Sequence, residues 1–529
     1  MHADHKIWLG RGDKDCYLHP AMANRHGLIA GASGTGKTIT LKVLAESFSD
    51  MGVPVFLADI KGDLSGMCVP GQSSAALEKR LAHFGLTQFP YQAFPTCYWD
   101  VYGKGGHPVR TTISDMGPLL ISRLMGLTDI QQSVLESVFR IADDQGLLLL
   151  DMKDLKAMLQ HVSEHRKEYI TDYGNMSPQS LGAVLRNVMV LEDNGGDIFF
   201  GEPALDIYDW MKNDVSGKGY INILDCTQLF LNPTLYATFM LWLLNELFER
   251  LPEAGDLDKP KLVFFFDEAH LLFDDMPKAL MQKLEQVIKL IRSKGVGIYF
   301  ITQSPSDIPD VVLAQLSNRV QHALRAYTPK EQKAVKVAAE TFRPNPAFDT
   351  VTAITQLGTG EALVSTLDEE GRPSMVEKAT IMPPQSLMGP VAAEVRADVM
   401  ECSEMGPKYD QLLDRYSAYE NLEQQNQLQA QREAQAAALA EQQKAAEAQR
   451  LAHEKEYAAL QRQWAEEAAA AEREHQKQLR KLQEQQRKEE ERKKKEMQKI
   501  LTSAARGFSS SIGRELGKSI IRGLFGSRK

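Results

Sequence analysis

Residues 31–38 read Gly31-Ala32-Ser33-Gly34-Thr35-Gly36-Lys37-Thr38. This stretch fits the phosphate-loop pattern, in which Gly and four further residues precede Gly-Lys and a Ser or Thr. It follows the apolar run Leu28–Ala30 and precedes the helical pattern Ile39–Phe48, so a strand, a loop and a helix are expected in that order. Glycines let backbone amides surround a phosphate at a helix N-terminus, which attracts anions. The stretch therefore predicts a nucleotide site in an α/β fold.

The predicted ligands are ATP and Mg²⁺, and each residue of the loop has a role that follows from its chemistry. The backbone of residues 31–36 is expected to hold the phosphates. The Lys37 ammonium is expected to reach the β- and γ-phosphates, and the Thr38 hydroxyl to bind Mg²⁺.

A pair of acids forms the second element of the predicted site. The apolar run 262–266 ends in Asp267 and Glu268, which is the Walker B arrangement. Asp267 is expected to hold Mg²⁺ through water, and Glu268 to act as general base on the attacking water. The alternative, an acidic cap of a strand end, is disfavoured because a phosphate loop lies upstream.

A polar amide ends the next apolar strand. The run Gly297–Ile301 is followed by Thr302 and Gln303. Gln303 at the tip of a strand beside Walker B is predicted to contact the γ-phosphate or to orient water. A turn residue that satisfies backbone groups is the alternative.

The fold class follows from short apolar runs separated by helical patterns, an order typical of a mostly parallel sheet covered by helices on both faces. The predicted strands are Gly27–Ala30, Val53–Asp59, Cys97–Val101, Tyr220–Asp225, Leu262–Asp267, Gly297–Thr302, Val320–Arg325 and Ala362–Thr366. The predicted domains are a P-loop ATPase core in two parts, 1–110 and 206–400, an inserted helical subdomain at 111–205, a long charged helix at 408–501 and a basic amphipathic tail at 502–529.

The two C-terminal segments are distinguished by composition. Residues 408–506 contain no Gly or Pro, which favours long helices. Their leucines do not keep a clean heptad, so a coiled coil and a solvated single helix both stay open. Residues 502–529 carry six basic residues against the single acid Glu515, with apolar residues at helical spacing. This tail is predicted to bind a partner helix, anionic lipid or DNA phosphate; a disordered solubilising tail is the alternative.

Composition limits the compartment and the partners. The net charge of -9 excludes a generally basic nucleic-acid binder, so any DNA contact must be local, as in the channel of a ring. The five cysteines form no CxxC pair, which predicts neither a zinc site nor a disulfide framework. Residues 1–10 do not resemble a signal peptide, and the apolar stretch Leu235–Phe248 is too short to span a bilayer. A cytoplasmic protein, with peripheral membrane association left open, is expected.

Five longer stretches of the sequence indicate more specifically which protein family the chain resembles. They are His26–Gly31, Asp59–Asp63, Phe266–His270, Ile291–Gly295 and Asn318–Arg325. Together they resemble the HerA/FtsK branch of P-loop motors, and within it the bacterial HerA-like ATPases, over residues 5 to 385. The resemblance implies a RecA-like core in a homo-oligomeric ring, usually a hexamer, that moves on double-stranded DNA. An assembly or secretion ATPase that acts on protein or at a membrane is the alternative.

The resemblance also implies an arginine that enters the site of the neighbouring subunit. Arg292 matches that position, Arg319 and Arg325 are rivals, and a surface salt bridge is the alternative for each. No role is assigned to Asp59, Lys61 and Asp63, which follow the second strand. The 30 residues before Gly31 leave little room for the N-terminal barrel domain of archaeal HerA, so that relative's partnership in DNA-end processing is not carried over.

Overall fold

The computed structural model describes residues 2–3, 6–273, 276 and 278–486. The strands are β1 (His2–Ala3), β2 (Lys6–Arg11), β3 (Asp15–Leu18), β4 (Gly27–Ala30), β5 (Val55–Asp59), β6 (Thr96–Asp100), β7 (His107–Pro108), β8 (Ile221–Asp225), β9 (Leu262–Phe266), β10 (Val296–Thr302), β11 (Asn318–His322), β12 (Glu361–Ser365) and β13 (Glu377–Ile381).

The helices cover both faces of the sheet. They are α1 (Lys37–Asp50), α2 (Ala75–His83), α3 (Ile113–Leu124), α4 (Asp129–Asp144), α5 (Met152–Tyr173), α6 (Pro178–Leu191), α7 (Asp197–Phe199), α8 (Pro233–Arg250), α9 (His270–Phe273), α10 (Lys278–Ile291), α11 (Asp310–Leu313), α12 (Pro329–Glu340), α13 (Thr350–Gln356), α14 (Ala393–Glu401), α15 (Gly406–Tyr409) and α16 (Ala418–Gln486).

All these strands form one sheet of 13, in the order β1-β2-β13-β12-β11-β4-β10-β9-β5-β8-β6-β7, with β3 paired to β2. The strands from β11 to β7 in that order are parallel to one another. The strands β12, β13, β2, β1 and β3 pair antiparallel. The predicted mostly parallel α/β fold is confirmed.

Alternate residues of the central strands enter different cores, which explains why these runs are apolar throughout. In β9, Phe264 and Phe266 pack in the core on one face, whereas Val263 and Phe265 pack in the core on the other. Every residue of β9 is buried. A strand covered on both faces has no solvent side, so it shows no polar alternation.

The eight predicted strands are all present, with ends that differ by up to three residues. The largest difference is in β11, which ends at His322 rather than at Arg325 because the next residues leave the sheet. Of the antiparallel strands only β12 was predicted; β2 and β13, which pair through Thr380 and Arg11, were among those that were not. The residues before the phosphate loop therefore extend the same sheet.

Helices dominate the chain between β7 and β8, from α3 to α7. Helix α3 is kinked at Gly117, where φ is 74°, and Pro118 follows the kink. This run lies within the segment predicted to be a helical insertion. The domain boundaries themselves stay predictions.

The chain forms two units, Met1–Asn426 and Gln427–Lys529. Within the first, Tyr409 is fully buried and its hydroxyl donates a hydrogen bond to Asp209 at 2.5 Å. That contact anchors the chain at Tyr409, and α16 begins at Ala418 rather than at the predicted Lys408. Within the second unit, α16 is exposed along almost all of its described length. The coiled coil stays a prediction, and the predicted tail 502–529 lies outside the described residues.

Among the helices that the structure describes, none combines the length and the apolar character that a bilayer span requires.

Candidate nucleotide site

Three neighbouring parallel strands bring the predicted site residues to one edge of the sheet. The phosphate loop leaves the carboxyl end of β4, Asp267 and Glu268 follow β9, and Gln303 follows β10, which lies between them. In the β4–β10 pair, Ala30 lies opposite Thr302. Residues that are far apart in the chain therefore meet at the carboxyl edge, where open α/β sheets bind their ligands.

The glycines of the phosphate loop are required by its geometry. Gly31 has φ +154°, and a Cβ there would lie 2.5 Å from the Cβ of His322. Gly36 has φ +118°, and a Cβ there would lie 3.2 Å from the Cα of Gly360. The Gly31 amide donates to the Thr302 carbonyl at 3.2 Å, which ties the loop to β10. Only glycine combines these φ values with such close neighbours.

Lys37 is the cation of the loop, and it is buried. Its ammonium donates to the carbonyls of Gly31 at 2.6 Å and Ala32 at 3.2 Å. Burial lowers the pKa of Lys37, while the charges of Asp267 and Glu268 act in the opposite direction. A buried ammonium whose hydrogen-bond partners are neutral carbonyls suits an anionic ligand, so the loop fits a phosphate.

Asp267 fits a bound divalent cation. Burial, and then the charge of Glu268, raise its pKa to about 6. Its Oδ1 accepts the Glu268 amide at 2.9 Å, and its carbonyl accepts the Tyr236 hydroxyl at 2.8 Å. Thr38 is the second residue of α1 and is partly buried. A nearby Mg²⁺ would favour the ionised carboxylate that burial disfavours, so these residues suit the metal.

Glu268 is held in a strained and crowded position. Its φ is +45°, in the left-handed region that non-glycine residues seldom adopt. Its Oε2 accepts the amide of Gln303 at 3.4 Å and lies 3.5 Å from Nδ1 of His270. Its Oε1 lies 3.8 Å from the ammonium of Lys61. The sequence analysis assigned no role to Lys61 or His270, because neither belongs to the phosphate loop or to the Walker B pair of acids.

A buried histidine, His322, packs against the phosphate loop. The sequence analysis did not identify it. His322 Nδ1 donates to the Glu361 carbonyl at 3.0 Å, so its Nε2 accepts the Thr40 hydroxyl at 2.8 Å. Burial lowers the pKa of His322 to about 4, which keeps the ring neutral. The Gly360 amide donates to the Thr35 carbonyl at 2.9 Å. The turn before β12 and the end of β11 therefore fix the loop.

Comparison with known proteins assigns the chain to a family. The family model described as "Helicase HerA-like C-terminal" matches residues 5–529. The chain belongs to this HerA-like family. It is 22% identical over 353 residues to the DNA double-strand break repair helicase HerA of Sulfolobus acidocaldarius, a match that covers 64% of this chain. The match spans 62% of that relative's length.

The chain is also similar to a further relative and to a solved structure. A probable helicase of Methanocaldococcus jannaschii, MJECL08, is 31% identical over 120 residues, which is 22% of this HerA-like chain and 21% of the relative. Among solved structures, the bacterial conjugative coupling protein TrwB aligns with a TM-score of 0.49 at 14% identity, over 71% of this chain and 89% of that chain.

The three arginines of this HerA-like chain occupy different surroundings. Arg319 donates to the carbonyls of Leu316, Thr341 and Leu313, and Arg325 donates to those of Thr355 and Leu357. Both guanidinium groups therefore serve as backbone anchors, and neither forms a salt bridge with any residue that the structure describes.

Arg292 lies apart from the other predicted site residues. It begins the short 3-10 turn Arg292–Lys294, ahead of β10, and its side chain is exposed. Gln303 follows the far end of the same strand. Within the described residues the Arg292 side chain has no hydrogen bond or ion pair. The structure therefore brings together Lys37, Asp267, Glu268 and Gln303, and leaves Arg292 at the opposite edge.

The raised pKa of Asp267 gives a testable dependence of stability on pH. Its value of about 6 exceeds the ordinary 3.8, so the native state favours the protonated form. The stability that this form confers is complete below pH 3.8 and is lost as the pH rises through about 6. Asp267→Asn should therefore stabilise the nucleotide-free protein at pH 7.5, by up to about 3 kcal/mol, and by less at pH 5.

Denaturant unfolding of both forms at the two pH values measures this effect. Asp310→Asn, which neutralises an exposed carboxylate on α11, serves as the control and should change stability little at either pH. A gain for Asp267→Asn that is equal at pH 5 and pH 7.5 would contradict the assignment.

Proposed function

We propose that this HerA-like chain hydrolyses ATP with Mg²⁺ and uses the energy to move on double-stranded DNA. The observation that carries the proposal is the convergence of the Lys37 loop, Asp267, Glu268 and Gln303 at one sheet edge. A phosphate cradle beside two acids and an amide matches the parts that phosphoryl transfer to water requires. Mg²⁺, when bound, would neutralise the charge of the phosphates.

The residues have distinct tasks in the proposed reaction. Lys37 exchanges its loop carbonyls for phosphate oxygens, and Thr38 with Asp267 would hold the metal. Glu268 takes a proton from the attacking water as the bond from the γ-phosphorus to the bridging oxygen breaks, which leaves ADP and phosphate. Gln303, whose amide already contacts Glu268 at 3.4 Å, orients that water or contacts the γ-phosphate.

A homo-oligomeric ring, a hexamer by resemblance to the family, completes the proposal. The exposure of Arg292 and its distance along β10 from Gln303 support action in a neighbouring subunit rather than in its own. A cytoplasmic location is part of the same proposal, because all five cysteines are unpaired thiols, which suits a reducing compartment.

Duplex DNA should raise the rate of ATP hydrolysis by the full chain at low salt. The stimulation should fall as salt is added, because contacts with the phosphate backbone release counterions. Phosphate release with and without duplex DNA, at 50 and 200 mM salt, measures this. If no form of DNA binds at low salt or alters the rate, the proposal that DNA is the substrate is wrong. The proposal of ATP hydrolysis is not affected by that result.

Contact with a membrane or a partner helix is the second candidate, and it rests on the sequence of residues 502–529. Their basic and apolar residues alternate at helical spacing, as in helices that lie on anionic lipid. The full chain should float with anionic liposomes, and a chain truncated after residue 501 should not. Equal flotation of the two would remove the tail from this role.

A further inference from the structure

Lys61 is a second cation beside the proposed base, and the phosphate-loop motif does not include it. Its ammonium lies 3.8 Å from Oε1 of Glu268. The Glu268 side chain is 10% exposed, whereas that of Lys61 is 52% exposed. One partner is thus fixed in the protein, and the other can move through the solvent. Gln303 contacts the opposite oxygen of Glu268, so both carboxylate oxygens have polar partners.

The loop that carries Lys61 is rigidly built. The buried carboxylate of Asp59 accepts the amides of Gly62 at 2.8 Å and Leu64 at 3.0 Å. Gly62 has φ +76°, which glycine adopts without strain. The loop leaves the carboxyl end of β5, the neighbour of β9. The backbone therefore holds the root of Lys61 beside Glu268, while its four-carbon side chain stays free to reorient.

The charge of Lys61 reaches both groups that hold the phosphates and the metal in the proposed function. It lowers the pKa of Asp267 and also that of Lys37. An anion bound between Lys37 and Asp267 would therefore be attracted by the positive charge of Lys61. The pair with Glu268 is longer than a hydrogen bond and half exposed on one side, so exchanging its partner costs little free energy.

We propose that Lys61 is a γ-phosphate-binding residue that pairs with Glu268 in the absence of nucleotide and exchanges this partner for the terminal phosphate of ATP. The inference rests on the proposed function. The exchange leaves Glu268 free to accept the proton of water only when a third phosphate is present. ADP lacks that phosphate and leaves the pair intact.

Calorimetric titration of the full chain with Mg-ADP and with a magnesium complex of a non-hydrolysable ATP analogue tests the exchange. Lys61→Met keeps an unbranched side chain of nearly the same length and removes its charge. The affinity of Lys61→Met for the triphosphate analogue should fall about tenfold, as expected for the loss of a charge-assisted contact. Its affinity for ADP should stay within about twofold of wild type, which also shows that the variant is folded.

Two controls separate charge from position. Lys61→Arg retains the cation and should keep most of the preference for the triphosphate. Lys104→Met removes an exposed lysine from the loop after β6, at the same sheet edge, and should alter neither affinity. Equal losses of both nucleotides by Lys61→Met, or no loss of either, would overturn the inference and leave ATP hydrolysis standing. Failure of the wild-type chain to bind either nucleotide would overturn the proposed function itself.

Discussion

Glu268→Gln is expected to lower ATP turnover by about 10²- to 10⁴-fold, the range that a general base contributes, and to leave ATP bound. The amide has the same shape as the carboxylate but cannot take a proton from water. Lys37 and Asp267 are unchanged, so the phosphates and the metal keep their ligands. Turnover should fall while the affinity for ATP is retained.

Phosphate release and equilibrium binding of Mg-ATP separate these two effects. Glu340→Gln, at the exposed end of α12, neutralises a carboxylate outside the site and serves as the matched control. Turnover of Glu268→Gln within about threefold of wild type would contradict the role of general base. Loss of ATP binding would instead indicate that the variant disturbs the strained backbone at Glu268.

The central strands of the sheet could be predicted from sequence because burial on both faces requires an uninterrupted run of apolar residues. Phe264 and Phe266 enter one core and Val263 and Phe265 the other, so the whole run is apolar. The outer strands of the antiparallel edge are not such apolar runs. The strand β2 mixes Lys6 and Arg11 with buried residues, and its pairing with β13 depends on contacts across most of the chain.

The parts of the site with a fixed spacing could also be predicted, and those that depend on long-range packing could not. Lys37 belongs to the phosphate-loop motif, and Glu268 ends an apolar run. Lys61 and His322 lie in the stretches Asp59–Asp63 and Asn318–Arg325, but neither belongs to the phosphate loop or to Walker B. Their partners, Glu268 and Thr40, become neighbours only because parallel strands align their carboxyl ends. Local propensity carries no information about such pairs.

The C-terminal helix shows a similar limit. Its composition predicts a helix, and α16 is one to the end of the described residues. Whether a partner covers its apolar side chains cannot be predicted from a broken heptad. Leu428, Leu439, Leu451 and Leu460 are 44% to 57% exposed in the single chain. These leucines are available for a coiled coil, which stays a prediction.

The position of Arg292 determines how it can act. It precedes β10, whereas Gln303 follows it, and β10 has 7 residues. At about 3.3 Å per residue, roughly 20 Å separate the two ends of the strand. An arginine side chain cannot bridge that distance to the nucleotide of its own subunit. If Arg292 contacts a transferring phosphoryl group, that group must therefore belong to the nucleotide bound by a neighbouring copy.

Arg292→Ala is accordingly expected to lower ATP turnover by about 10³-fold or more, the effect of removing an arginine that stabilises the charge of the transferring phosphoryl group. ATP binding should persist, because Lys37 and Asp267 are intact. Arg140→Ala, which removes an exposed arginine from α4, is the matched control. Turnover of Arg292→Ala near that of the control would contradict a catalytic arginine at this position.

Mixing Arg292→Ala subunits with Glu268→Gln subunits distinguishes action across an interface from a general loss of function. Each variant alone lacks one half of every site. In a mixed ring, ATP bound to an Arg292→Ala subunit keeps Glu268 and receives Arg292 from its Glu268→Gln neighbour, so that site is complete. Turnover of the mixture should exceed that of both separate variants by well over tenfold, because each variant alone is reduced at least a hundredfold. A mixture whose subunits exchange but whose turnover stays at the level of the separate variants would contradict the action of Arg292 in a neighbouring subunit.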